Sequence, residues 1–141
     1  YRTALYTSPH LESVEERLRI DGRAVTTRVL ATTVSEVVAT AEDRLGYLPT
    51  YFEALTASAF VWFARQKVDL AVLEVGLGGR LDATNAVDAA LSIIVTEAGE
   101  HPPVEGGFDR GATAAEGGLV PRPPDACLAF PAGRLCSIVR R

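Results

Sequence analysis

The segment DLAVLEVGLGGRLDATN, residues 69–85, decides the fold of this chain. An apolar run ends in Glu74, and a glycine cluster, Arg80 and Asp82 follow. A nearly continuous apolar run of this length is typical of a strand buried on both faces of a parallel sheet. We therefore predict a buried strand and then a tight turn, near which Arg80 and Asp82 can pair with each other or with a polar ligand.

Glu74 is an unusual residue at the end of such a strand. Charged carboxylates are rarely buried unless they are paired or bound to a metal. A strand end can fix a carboxylate so that it holds Mg²⁺ beside a nucleotide, whose phosphates complete the metal's coordination. At this point a helix-capping or salt-bridged glutamate remains the alternative.

The glycine cluster does not fit either common nucleotide-binding loop. A dinucleotide fingerprint that starts at Gly76 needs a third glycine where the chain has Leu81. The P-loop pattern also fails, because no Gly-Lys-Ser or Gly-Lys-Thr occurs in the sequence. The glycines therefore predict only a turn that lets the backbone approach something closely.

The rest of residues 1–100 alternates periodic segments with turns, which predicts an α/β fold with a parallel sheet. Residue spacing and capping signals predict the elements. They are a strand in RTALYTSP that ends at Pro9, an extended segment with a turn at Asp21-Gly22, helices over 33–45 and 50–66, and a second buried strand over 89–96.

Residues 101–141 differ in composition from the first hundred. Residues 101–133 hold six Gly and six Pro and show no sustained period. This composition predicts an irregular tail, with an isolated strand at most in patches such as LCSIV. Past residue 96 the ordered pattern of the first hundred residues gives way abruptly to Gly- and Pro-rich sequence. We therefore also consider a frameshifted reading frame.

Polar residues follow the predicted strands, where ligands of parallel sheets gather. Ser8 and His10 follow the first strand, Glu74 closes the second, and His101 follows the third. A hydroxyl, a carboxylate and an imidazole at adjacent strand ends make a plausible mixed oxygen and nitrogen metal site. Ser8 could instead cap the segment after it, and a Ser–His–acid triad would lack the Gly-x-Ser-x-Gly elbow.

Composition excludes several classes of protein. The net charge of −4 argues against nucleic acid or an anionic membrane as the main partner. No apolar run approaches the roughly 20 residues of a membrane span, and the start does not resemble a signal peptide. Cys127 and Cys136 are expected to be incidental thiols, and the location to be cytoplasmic. The chain lacks methionine altogether, which suggests an internal piece of a longer protein.

Three segments carry a family resemblance. YTSPHLESVEERLRIDG (6–22), TYFEALTASAF (50–60) and VDLAVLEVGLGGRLDATNAV (68–87) resemble folylpolyglutamate synthase/dihydrofolate synthase, of the Mur ligase superfamily. The resemblance covers roughly residues 1–96. It implies part of a central P-loop ATPase domain built on a parallel sheet.

The resemblance also implies an activity and a set of site residues. The family uses ATP and Mg²⁺ to add L-glutamate to dihydropteroate or a folate through an acyl phosphate, as a cytoplasmic and monomeric enzyme. Ser8, Glu74 and His101 then correspond to Mg²⁺ ligands, although the aspartate that precedes the family's histidine is absent here. The positions that correspond to the pterin pocket are Thr50, Phe52, Asp82 and Ala83.

The chain also departs from the family pattern. The family's P-loop and its modified lysine are not in this sequence, and Lys67, the single lysine, lies in the wrong place to replace either. We therefore expect no glutamate ligation from these 141 residues alone. A truncated inactive product, or another Mur-type amino-acid ligase, remain alternatives to a folate-pathway ligase.

Overall fold

A computed structural model describes residues 1–76, 81–87, 89–95, 119–120 and 134–140. The strands are β1 (Thr3–Tyr6), β2 (Leu18–Ile20), β3 (Arg23–Ala24), β4 (Leu70–Glu74), β5 (Leu91–Val95), β6 (Leu119–Val120) and β7 (Arg134–Arg140). The helices are α1 (Thr27–Leu45) and α2 (Tyr51–Arg65), with two short 3₁₀ helices, Val14–Arg17 and Ala83–Ala86.

The described strands form one sheet in the order β3-β2-β1-β4-β7-β5-β6. The four central strands, β1, β4, β7 and β5, run parallel to one another, and the strands outside them pair antiparallel. The predicted α/β fold with a parallel sheet is confirmed. The predicted turn at Asp21-Gly22 joins β2 to β3, and both residues have the positive φ that such a tight turn requires.

The register between β1 and β4 places the two strand ends together. Tyr6 pairs with Leu73, so the chain leaves β1 for Ser8 beside the point where β4 ends at Glu74. The two predicted strand ends are therefore neighbours in space, as the parallel sheet required.

The described residues of the tail do not have the irregular conformation that the sequence predicted. β7 contains the patch LCSIV and lies between β4 and β5 rather than standing alone. A short apolar run suits a strand flanked on both sides by parallel strands, and this partnership is not visible in the local sequence. The frameshift hypothesis is untested.

Both helices begin at a threonine cap. Thr26 accepts a hydrogen bond from the Val29 amide, so α1 starts six residues before the predicted position, and Gly46 ends it with a φ of 71°. Before α2, Thr50 and Glu53 form the predicted capping box. The start and end of α2 agree with the predicted helix within one residue.

Tyr6 lies at the centre of the core between the sheet and the helices. Its side chain is fully buried, and its hydroxyl is 3.0 Å from the Thr56 hydroxyl oxygen. Burial raises the pKa of Tyr6, although the Thr56 hydrogen bond opposes the shift. The ring of Phe52 lies one helix turn before Thr56, and its centre is 6.3 Å from the centre of the Tyr6 ring.

Replacing Tyr6 by Phe should lower the free energy of unfolding by about 1–2 kcal/mol, because the buried Thr56 hydroxyl loses its partner. The pH dependence should change as well. Since the folded state holds the tyrosine proton more tightly, this stabilisation is complete below the unfolded pKa of about 10 and is lost as pH rises through the folded value. Urea unfolding of both proteins at pH 7 and above pH 10 checks this. An equally steep alkaline loss in Tyr6→Phe would contradict it.

No helix in the described part of the chain is both long enough and apolar enough to cross a membrane.

Candidate active site

The ends of β1 and β4 bring Ser8 and Glu74 into direct contact. The Ser8 amide donates a hydrogen bond of 2.8 Å to Glu74 Oε2. Glu74 is only 7% exposed, so this carboxylate is held inside the protein at the edge of the sheet. The contact joins two of the residues that the sequence predicted to act together.

Arg17 holds the loop that carries Ser8 through two hydrogen bonds. The Thr7 amide donates to the Arg17 carbonyl oxygen at 3.0 Å, and Arg17 Nε donates to His10 Nδ1 at 2.9 Å. Backbone and side chain of one residue therefore hold both ends of the loop. His10, a candidate metal ligand in the sequence, uses its Nδ1 atom for this bond.

Asp82 caps the short 3₁₀ helix Ala83–Ala86, which follows the glycine cluster in the sequence. Its Oδ1 atom accepts hydrogen bonds from the Thr84 amide at 2.9 Å and from the Thr84 hydroxyl at 2.5 Å. These two bonds orient the carboxylate. Ala83 is the first residue of the same short helix.

A pocket of about 330 Å³ opens beside these strand ends. Its described lining consists of Ser8, Pro9, Arg17, Phe52, Gly76 and Asp82. The pocket thus brings together three residues that the sequence assigned to metal or pterin binding, Ser8, Phe52 and Asp82. Ala83 follows the lining residue Asp82 and Thr50 lies two residues before Phe52, but neither is in that set.

Gly76 lets the aromatic wall of the pocket approach the backbone. A Cβ atom at this position would lie 2.5 Å from Phe52 Cζ and 3.0 Å from Asp82 Oδ2. Only glycine leaves room for both side chains, so the first glycine of the cluster shapes the pocket.

Thr50 has a structural role that the structure shows directly. Its hydroxyl accepts from the Glu53 amide at 3.3 Å, and its amide donates to Glu53 Oε2 at 2.8 Å. Thr50→Ala should therefore lower the free energy of unfolding by about 1 kcal/mol, while Thr50→Ser should keep the cap. Thermal unfolding of the two variants tests this, and equal destabilisation by Ala and Ser would contradict it.

Known proteins resemble this chain along most of its length. A folylpolyglutamate synthase/dihydropteroate synthase of Haloferax volcanii, described as probable and bifunctional, is 42% identical over 96% of this chain and 16% of its own length. The dihydrofolate synthase/folylpolyglutamate synthase of Mycobacterium tuberculosis is 37% identical over 88% of this chain and 28% of its own length. No protein-family model matches the chain.

Solved structures that are similar to this chain are of the same kind of enzyme as these relatives. Escherichia coli FolC in complex with DHPP and ADP has a TM-score of 0.64 at 39% identity, over 72% of this chain and 24% of the FolC chain. This chain belongs to the folylpolyglutamate/dihydrofolate synthase family. A bifunctional folylpolyglutamate synthase/dihydrofolate synthase with Mn, AMPPNP and L-glutamate bound has a TM-score of 0.65 at 39% identity, over 77% of this chain and 26% of its own.

The chain spans only part of its family members. It covers between 13% and 28% of the length of the curated folylpolyglutamate synthases that we compared. The matching part contains the strands and helices that surround the pocket, so the pocket is the feature that can be compared with the family.

Ser8 and Glu74 fit a hard divalent cation. Mg²⁺ binds oxygen ligands and commonly uses one or two carboxylates, with waters and substrate phosphates completing its shell. The buried Glu74 carboxylate beside a serine matches this donor set. Within the described ranges no three His, Cys, Asp or Glu residues cluster. His101, Arg80 and residues 77–79 lie outside the described residues, and all three predicted metal ligands, Ser8, Glu74 and His101, stay predictions.

Arg17 is a charged pocket residue that the sequence did not predict. It is only 8% exposed, and its guanidinium lies 5.6 Å from the centre of the Tyr51 ring. An arginine in the charged stretch EERLR looks like a solvent-exposed residue. Its burial arises because β2, the Ser8 loop and the start of α2 meet around it, which no local periodicity reveals.

Proposed function

We propose that the protein containing this chain is an ATP-dependent ligase that joins L-glutamate to dihydropteroate or to a (tetrahydro)folate. One observation carries the proposal: the buried Glu74–Ser8 pair adjoins a pocket whose walls include an aromatic ring and a carboxylate. The pair suits Mg²⁺ at the phosphates of ATP, and the pocket suits a flat heteroaromatic substrate. Related structures that hold DHPP and ADP, or Mn, AMPPNP and L-glutamate, support a nucleotide, a divalent cation and glutamate as ligands of the proposed enzyme.

The pocket residues divide between ring and polar contacts. The Phe52 ring can stack on a pterin ring, and the fixed Asp82 carboxylate can accept hydrogen bonds from the amino and ring N–H groups of a pterin. Thr50, two residues before Phe52, and Ala83, next to Asp82, are proposed to contact the same substrate. The orienting hydrogen bonds from Thr84 mean that little reorganisation of Asp82 is needed on binding.

We assign Ser8 and Glu74, with His101 as the third member, to binding of Mg²⁺. The cation would neutralise charge on the transferred phosphoryl group. The chain's own contribution is to hold the carboxylate and the serine in fixed positions at adjacent strand ends. The loop contacts made by Arg17 keep Ser8 in place.

The proposed reaction has two displacements. A carboxylate oxygen of the pteroate attacks the γ-phosphorus of ATP, so a C–O–P linkage forms and ADP leaves. The free amine of glutamate then attacks the acyl carbon, the amide bond forms, phosphate leaves with the bonding electron pair, and the amine proton is released. Phosphoryl transfer of this kind depends mainly on positioning and charge neutralisation, which strand-end ligands and a preformed pocket supply.

Complementation tests the proposal. The full-length gene should restore growth of a strain that lacks folylpolyglutamate/dihydrofolate synthase, and the restored cells should contain glutamylated folates. Failure to restore growth, together with accumulation of cell-wall precursors when the native gene is lost, would instead indicate another Mur-type amino-acid ligase. The monomeric state, the cytoplasmic location and the absence of nucleic-acid and membrane partners stay predictions from the sequence.

A further inference from the structure

Arg17 is a buried cation that forms no ion pair with a described carboxylate. The guanidinium donates to a neutral acceptor, His10 Nδ1, and lies over the face of Tyr51. The ion pairs found among the described residues are Arg2–Asp21 and Arg65–Glu36, and neither involves Arg17.

A buried guanidinium without an anion is energetically unfavourable. Taking the ion out of water is costly, and hydrogen bonds to neutral groups and an aromatic face recover only part of that cost. The planar fork of arginine is well suited to a carboxylate, which it binds through parallel N–H donors. Arg17 lines the pocket, so an anionic group of a bound ligand can reach it.

The pocket lining includes one cationic and one anionic side chain, Arg17 and Asp82. Asp82 and the Phe52 ring suit the aromatic end of a ligand with N–H donors, while Arg17 suits an anionic end. We propose that Arg17 binds the carboxylate of the pteroate substrate, the same group that the reaction activates. This inference rests on the proposed function and adds to it the residue that selects an acid over a neutral analogue.

The anionic group that we propose for Arg17 is a carboxylate rather than a nucleotide phosphate. The phosphates are assigned to the Ser8–Glu74 side, where a divalent cation can bridge them. Arg17, by contrast, shares its pocket with the two side chains suited to the pterin. A ligand that fills the pocket from Phe52 therefore brings its own acidic group toward the guanidinium.

The test compares dihydropteroate with its neutral carboxamide by calorimetric titration of the protein expressed from the full-length gene. Arg17→Gln should weaken binding of the acid roughly 10- to 100-fold, the loss expected for hydrogen bonds to a charged group, and should leave binding of the amide nearly unchanged. Arg19→Gln is the matched control. Arg19 belongs to the same strand region, but its Nε donates to the Glu16 carbonyl oxygen, so acid and amide should bind as in the wild type.

Different failures lead to different conclusions. Equal weakening of acid and amide by Arg17→Gln would mean that Arg17 only supports the fold, and would overturn the proposal. Loss of ATP·Mg²⁺ binding with an unchanged acid-to-amide ratio would mean that Arg17 serves the nucleotide side of the site, by contacting a phosphate or by holding the Ser8 loop, and would overturn it too. If the wild type binds neither pteroate compound, the proposed function itself fails. Should Arg17→Gln not fold, Arg17→Lys must still lower the acid-to-amide ratio several-fold, and an unchanged ratio refutes the inference.

Discussion

Glu74→Gln should reduce the rate of glutamate ligation by the full-length protein on the order of 100-fold or more, with little change in dihydropteroate binding. The amide keeps an oxygen that can accept the 2.8 Å hydrogen bond from the Ser8 amide, so the loop should stay in place. The variant loses the negative charge that a divalent cation requires from this site. Activity should therefore need a much higher Mg²⁺ concentration, which a Mg²⁺ titration of ADP release measures directly.

Glu36→Gln is the control for this experiment. Glu36 pairs with Arg65 at 2.7 Å on the surface, where both side chains are about half exposed. An exposed pair of this kind contributes at most about 1 kcal/mol, so activity and Mg²⁺ dependence should match the wild type. An active Glu74→Gln protein with unchanged Mg²⁺ dependence would show that Glu74 is a structural carboxylate, the alternative that the sequence left open.

Gly76→Ala should weaken dihydropteroate binding about 10-fold or more by closing the pocket, with nucleotide binding unaffected. The added methyl would lie 2.5 Å from Phe52 Cζ and 3.0 Å from Asp82 Oδ2, so both of the side chains that we assign to pterin binding must move. Displacing positioning groups by even about 1 Å has large effects on binding and reaction. The KM and Kd for dihydropteroate, compared with the Kd for ATP, separate the two sites.

Gly46→Ala gives a matched glycine control. Gly46 has open space around its Cα, but its φ of 71° disfavours alanine. This variant should therefore lose roughly 1 kcal/mol of folding stability while its affinity for dihydropteroate stays that of the wild type. If Gly76→Ala resembled Gly46→Ala, with lower stability and normal substrate affinity, the pocket beside Gly76 would not be the pterin site.

The sequence was most informative where one short segment contained the whole signal. An apolar run closed by Glu74 predicts both a buried strand and a functional strand end, because a carboxylate in that position needs a partner. The capping box of Thr50 and Glu53 likewise predicts the start of α2 from two residues. The parallel arrangement then places Ser8 beside Glu74, as the structure shows.

Features that depend on distant partners could not be predicted in the same way. Arg17 is buried only because the Ser8 loop and Tyr51 meet over it, and its own neighbours in sequence are charged. The first turns of α1 contain polar Thr and Arg residues that hide the apolar period, although Leu30 and Thr33 face the core. β7 becomes a strand through pairing with β4 and β5, which a Gly- and Pro-rich tail does not suggest.

One reaction tests the central claim most directly. The purified protein from the full-length gene is incubated with ATP, Mg²⁺, dihydropteroate and L-glutamate. The products are then identified by mass spectrometry. We expect ADP, phosphate and a pteroate heavier by one glutamyl residue, with no product when either substrate or the metal is left out. ATP hydrolysis that does not depend on dihydropteroate, or a pteroate that is never extended by glutamate, would contradict the account.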